Sequence, residues 1–191
     1  MKFKDTVRKS AVIIAIVLLA LLCGYLYQVI GHSSDLGSHP REYTEYVGRY
    51  AAEYGVPEQV IYATVLNVSD FRSNFVSDSG RIGLMQIHPE TFRVFTTMNK
   101  ESFDSGMLYD PDTNLRYGAY MMSYYFTKYN RWKTVVAIML TDEETVTRWM
   151  DDSSNTDEQG NLVTIPDKSV SRAVENIEND MEMYQKLYYS E

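Results

Sequence analysis

From residue 41 onward, apolar side chains recur at steps of three and four almost to the end of the chain. Tyr43, Val47, Tyr50 and Tyr54 share one helical face, and Gly55 supplies a stop signal. Pro57 opens a second helix, where its missing N–H costs nothing. Ile61, Val65 and Val68 continue an apolar face there in steps of four and three. A Ser-, Asn-, Asp- and Gly-rich loop over 69–81 leads into Gly83-Leu84-Met85-Gln86-Ile87 and a further helix. Asp110-Pro111 starts a long helix with Leu115, Ala119, Met122, Phe126 and Tyr129 on one side. Shorter helices are predicted over about 132–140 and 143–150, then a polar loop over 151–160. The last helix, over 168–189, carries Val170, Val174, Ile177, Met181, Tyr184 and Tyr188 at helical spacing. No internal repeat and no run of alternating strands appears. The pattern predicts a mainly α, compact helical domain over 41–191 with at most a small hairpin.

The N-terminal pattern is different. Residues 11–30 are uncharged and long enough to span a bilayer as one helix. Tyr25, Tyr27 and Gln28 stand at the far end, where amphipathic groups favour the membrane interface. Lys2, Lys4, Arg8 and Lys9 against Asp5 place the positive side before it. The reading is a cytoplasmic tail over 1–10, a transmembrane signal anchor over 11–30, a short linker over 31–40 and an extracytoplasmic domain. A cleaved signal peptide is the weaker alternative, since the apolar run is long and no small-x-small cleavage site stands out.

Composition narrows the chemistry. A chain of 191 residues with 45% hydrophobic and 13% aromatic residues holds one folded domain plus an appendage. The lone Cys23 excludes an intrachain disulfide and a cysteine metal cluster. His32, His39 and His88 lack ligand spacing, so neither a metal nor a cofactor is expected. The net charge is −8, and the basic residues near the start leave the remainder more acidic still. Such a domain lacks the basic footprint that nucleic acid requires. It would also be repelled by an anionic wall polymer unless a shaped groove held the ligand.

Residues 63–86 resemble the signature Q-E-S-G-F-x-P-x-A-x-S-x-x-G-x-x-G-L-M-Q of the soluble lytic transglycosylase (SLT, goose-lysozyme-like) family. Ser69, Phe71, Ser77, Gly80, Gly83, Leu84, Met85 and Gln86 fall on its fixed positions without a gap. Three more motifs keep family order: Tyr54-Gly55-Val56-Pro57 with Val60 and Ala63; Asp110-Pro111 with Asn114 and Gly118; and Ile165-Pro166 with Val174, Tyr184, Leu187 and Tyr188. The resemblance covers about 41–189. It implies a lysozyme-like fold and a peptidoglycan glycan strand as ligand.

Two departures from the pattern concern chemistry. The resemblance places the catalytic glutamate, which protonates the glycosidic oxygen and leads to a 1,6-anhydro product, at Val68. General acid catalysis needs a group that exchanges a proton, and valine has none. The family's Tyr-Asn pair falls on Met139 and Leu140. Asp70 is the nearest carboxylate, against a plain loop or capping role. Ser69, Gly83, Met85, Gln86, Met139 and Leu140 are the residues expected at the sugar. Three of them also have a bland reading: packing for Met85, a turn for Gly83 and a structural hydrogen bond for Gln86. The expectation is a membrane-anchored, catalytically degenerate module that binds peptidoglycan. An active lyase using Asp70 or substrate assistance is the alternative, as is a structural partner of another envelope protein.

Overall fold

The structure is a computed structural model that describes residues 18–25 and 35–190; statements below concern those residues. They fall into two units, residues 1–40 and 41–191. In the first, residues 18–25 and 35–38 are helical, the latter inside the expected linker. The rest of the anchor expected over 11–30 lies outside the described residues. Among those described, no helix is long and apolar enough to cross a membrane.

The second unit comprises seven α-helices: α1 Thr44–Tyr54, α2 Glu58–Ser69, α3 Pro89–Met98, α4 Pro111–Tyr129, α5 Trp132–Leu140, α6 Glu143–Met150 and α7 Lys168–Tyr184. Aspartates cap three of the starts. Asp110 accepts from the Thr113 amide at 2.9 Å, and Pro111 follows where its missing N–H costs nothing. Asp142 caps α6 through Thr145, and Asp167 caps α7 through Ser169 and Val170. Pro57 is the residue before α2 rather than its first.

α1 packs on α4, α2 on α7, and α5 lies against both α4 and α7. The sequence of α5 explains its place. Thr134 to Met139 are buried without interruption, and a helix apolar all round is stable only inside. Each fully buried aliphatic or aromatic side chain contributes roughly 1.5–3 kcal/mol, so α5 sits centrally and its two ends are positioned by the whole core. β-structure among the described residues is confined to bridges pairing Val76 with Ile82, Ile82 with Ile87, and Thr156 with Leu162. Where the pattern predicts one helix to residue 189, α7 stops at Tyr184 and a π-turn, Gln185–Tyr189, follows. Within that turn, the Tyr188 ring lies 4.3 Å from the Arg41 guanidinium, and the Tyr189 hydroxyl donates to Glu58 at 2.6 Å.

The loop after α3 is tied to α4 by Glu101, which takes both Arg116 Nη groups and the Tyr117 hydroxyl. The Arg116 hydrogen bond holds the Glu101 carboxyl below the ordinary carboxylate range, against a smaller opposing effect of burial. A depressed folded-state pKa stabilises the fold above the unfolded value and is lost as pH falls through the folded one. The pair is about a third exposed, so solvent screening keeps its worth to roughly 1 kcal/mol or less. Glu101→Gln should therefore lower the urea midpoint slightly at pH 7. The gap should close on acidification below the carboxylate range; a gap that persists there would refute the assignment.

Candidate functional site

The site expected from sequence is a tight turn over residues 82–87, and α4 builds it. Ile82 and Ile87 exchange backbone hydrogen bonds at 3.0 and 3.1 Å. Asn114, fully buried, accepts from the Met85 amide at 2.7 Å. Its Nδ2 donates to the carbonyls of Ile82 at 3.0 Å and Leu108 at 2.8 Å. Gly83 has φ +80°, and a Cβ there would collide with the Asn114 side chain and the Leu108 carbonyl. One turn further along α4, Gly118 leaves the space into which Met85 packs. The spacing Asn114-x-x-x-Gly118 thus holds the Gly83-Leu84-Met85-Gln86 turn from one helix face.

Ser69 ties the same turn to α2 by donating to the Leu84 carbonyl at 2.8 Å. Gln86 sits at φ +50°, an uncommon conformation for a side-chain-bearing residue. Its Nε2 donates to the carbonyls of Phe75 at 3.0 Å and Gly83 at 2.8 Å. Its Oε1 is buried and has no hydrogen-bond partner.

Arg81, which the sequence reading passed over, joins this turn to α5. Its Nη1 donates to the carbonyls of Met139 at 2.8 Å and Gln86 at 3.2 Å, and its Nη2 to that of Thr141. Carbonyls at a helix C-terminus lack intrahelical partners and carry the negative end of the macrodipole. A guanidinium answers both. Burial lowers the Arg81 pKa, partly offset by Asp142. Nothing in the sequence sets Arg81 apart from Arg72 of the same loop.

Between the turn and the end of α5 lies a cavity of about 40 Å³, walled by Arg81, Gln86, Met121, Tyr125, Met139 and Asp142 among others. That admits a few water molecules, against the roughly 300–1,000 Å³ of a small-molecule site. Burial pushes the Tyr125 hydroxyl up to about 12, so it stays neutral.

Of the residues expected at the sugar, the structure brings Gln86 and Met139 together on this cavity. Gly83 and Met85 are buried inside the turn, Ser69 is buried at the end of α2 against it, and Leu140 is half-buried at the end of α5. Val68 is half-buried against the core and is not part of the cavity wall. Asp70 is exposed, in the left-handed conformation that ends α2, with φ 51°. Among the described residues, no group of three His, Cys, Asp or Glu side chains is placed to hold a metal ion.

A buried central helix, a turn held by an Asn and a Gly one helical turn apart, and a preceding helix ending beside it define a lysozyme-like helical domain. The family described as the transglycosylase SLT domain matches residues 45–160, more than half of the chain, and the chain belongs to that family. Solved structures agree on the fold. An inactive mutant of the lytic transglycosylase Slt from Pseudomonas aeruginosa is similar at 24% identity with a TM-score of 0.69. The 70 kDa soluble lytic transglycosylase of Escherichia coli gives 23% and 0.71. A complex of the 70 kDa soluble lytic transglycosylase with bulgecin A gives 22% and 0.72. Each likeness covers 80% of this chain but 25% of the other, so the chain spans about a quarter of their length. No curated protein sequence matches the chain.

Proposed function

We propose that this is a peptidoglycan-binding domain without lytic activity, held at the outer face of a bacterial membrane by its segment over residues 11–30. The observation that carries the loss of activity is Val68, an aliphatic side chain on the position that the resemblance assigns to the acid. Asp70 does not offer itself as a replacement: it is exposed, and it follows the left-handed turn out of α2. A general acid works best where burial or a neighbour tunes its pKa. The Tyr-Asn pair is likewise replaced by Met139 and Leu140, and the space beside Met139 is taken by the Arg81 guanidinium.

Support for the anchor is compositional and physical. Leu18, Leu19, Leu21 and Leu22 are between 52% and 66% exposed, an arrangement that suits lipid better than water. Basic residues before the run favour a cytoplasmic N-terminus.

The test uses the full chain in detergent. It should co-sediment with purified peptidoglycan, and mass spectrometry of the incubated wall should find no 1,6-anhydro muropeptides above a buffer control. Products that appear with the wild type and vanish in Asp70→Asn would make Asp70 the acid and overturn the reading. Failure to sediment would remove the glycan and leave docking to another envelope protein. Gln86→Ala is a poor reporter of sugar contact, because the Gln86 amide closes the turn through Phe75 and Gly83.

A further inference from the structure

Three features of the cavity at Gln86 and Met139 set it apart from an open binding surface. The first is its size, about 40 Å³, where small-ligand sites run to roughly 300–1,000 Å³. The second is what stands in it. The Arg81 side chain reaches from the turn to the end of α5, donating to the Gln86 carbonyl on one wall and to the Met139 and Thr141 carbonyls on the other. The third is Gln86 itself, 5% exposed, whose buried Oε1 has no partner although an arginine rich in N–H donors lines the same cavity. A buried acceptor left unpaired is costly. It marks a place for a donor that the closed arrangement does not supply.

The seated arginine is also poorly secured as a charge. Its three acceptors are backbone carbonyls, and burial works against its positive charge. Asp142 offsets that only in part, and its own oxygens already accept from the Thr145 amide and hydroxyl. Arg81 is half-buried and follows the exposed residues Asp78 and Ser79, so its long, unbranched side chain can turn to water without the core opening.

We propose that Arg81 is a gate on the glycan site, seated across it in the free protein and displaced when a sugar enters. The gate rests on the glycan reading above and deepens it, since it makes one side chain the determinant of affinity. With the arginine withdrawn, the space beside Met139 grows by a guanidinium and two methylenes, and a hydroxyl or amide N–H of the sugar can donate to Gln86 Oε1. The Met139 and Thr141 carbonyls, at the C-terminal end of α5, then face water or sugar donors. A site open only part of the time loses apparent affinity by that fraction. Removing Arg81 should therefore tighten binding, the reverse of what a direct sugar contact would give.

The experiment measures chitotetraose binding to the full chain in detergent by calorimetry, with a thermal melt of every variant. Arg81→Ala is expected to bind about tenfold more tightly than the wild type, as for a site open about a tenth of the time. Arg81→Lys keeps the charge but lacks the planar fork that reaches several carbonyls at once, and should fall between the two. Arg72→Ala removes the same charge from the same loop; Arg72 donates to the Ser69 carbonyl and lies over the Phe75 ring, away from the cavity wall. It should bind as the wild type does. The gate falls if folded Arg81→Ala binds no more tightly than the wild type, or if Arg72→Ala gains as much. Should Arg81→Ala fail to fold, Arg81→Lys decides: folded and no tighter than the wild type, it refutes the gate. In each of these cases binding by the wild type leaves the glycan reading standing. If neither the wild type nor any folded Arg81 variant binds, the glycan reading falls and the gate with it.

Discussion

Asn114→Leu should cost the domain about 4 kcal/mol, the largest stability loss expected from a single polar side chain here. The substitution keeps the approximate volume and removes three hydrogen bonds at once. The Met85 amide and the carbonyls of Ile82 and Leu108 would be left unpaired at a fully buried position, and each such group costs about 1–3 kcal/mol. Partial relaxation or an entering water keeps the total below the simple sum. For a chain of this size, 1 kcal/mol shifts the melting temperature by about 2–4 °C, so a drop of roughly 8–16 °C is expected. Asn114→Asp restores the acceptor for Met85 but not the two donors, and should fall between. A loss under about 1 kcal/mol for the leucine variant would mean that the turn does not depend on α4.

The legible parts of the fold are those written in local spacing. The apolar steps along α1, α2, α4 and α7, the Asp110-Pro111 start and the polar loop over 151–160 depend on residues within a few positions of one another. What escaped depends on distant partners. Arg81 reads locally as a solvated loop cation, yet its acceptors Met139 and Thr141 lie 58 and 60 residues away. Asn114 was legible as part of a motif but not as the clamp on the turn. For Gln86 the expectation of a partner for the amide was met by Phe75 and Gly83, whereas the unpaired Oε1 has no sequence signal. The π-turn after Tyr184 was read as plain helix because Tyr184 and Tyr188 keep helical spacing.

On the proposed reading, Val68→Glu alone should leave peptidoglycan without detectable 1,6-anhydro products, whereas Val68→Glu with Met139→Tyr and Leu140→Asn should produce them. The single change puts a carboxyl at the end of α2, and a well-placed general acid supplies about 10²- to 10⁴-fold. Placement is the difficulty. Val68 is half-buried against the core, outside the cavity that Gln86 and Met139 share. Neither Met139 nor Leu140 has a side-chain N–H or O–H to orient a new carboxyl or a sugar, and a misplacement of about 1 Å costs about 10²-fold. Partial burial would raise the pKa of the new glutamate and keep it protonated, hence a donor without a fixed direction. The triple change adds a phenol and an amide at the end of α5, whose backbone Arg81 already holds through Met139 and Thr141. The two substitutions on α5 therefore enter a backbone with little freedom to drift. Product from Val68→Glu alone, at the level of the triple variant, would show that orientation at residues 139 and 140 is dispensable. No product from a triple variant that melts normally would place the obstacle in the 40 Å³ cavity itself, too small to admit the groups a sugar must insert beside Arg81.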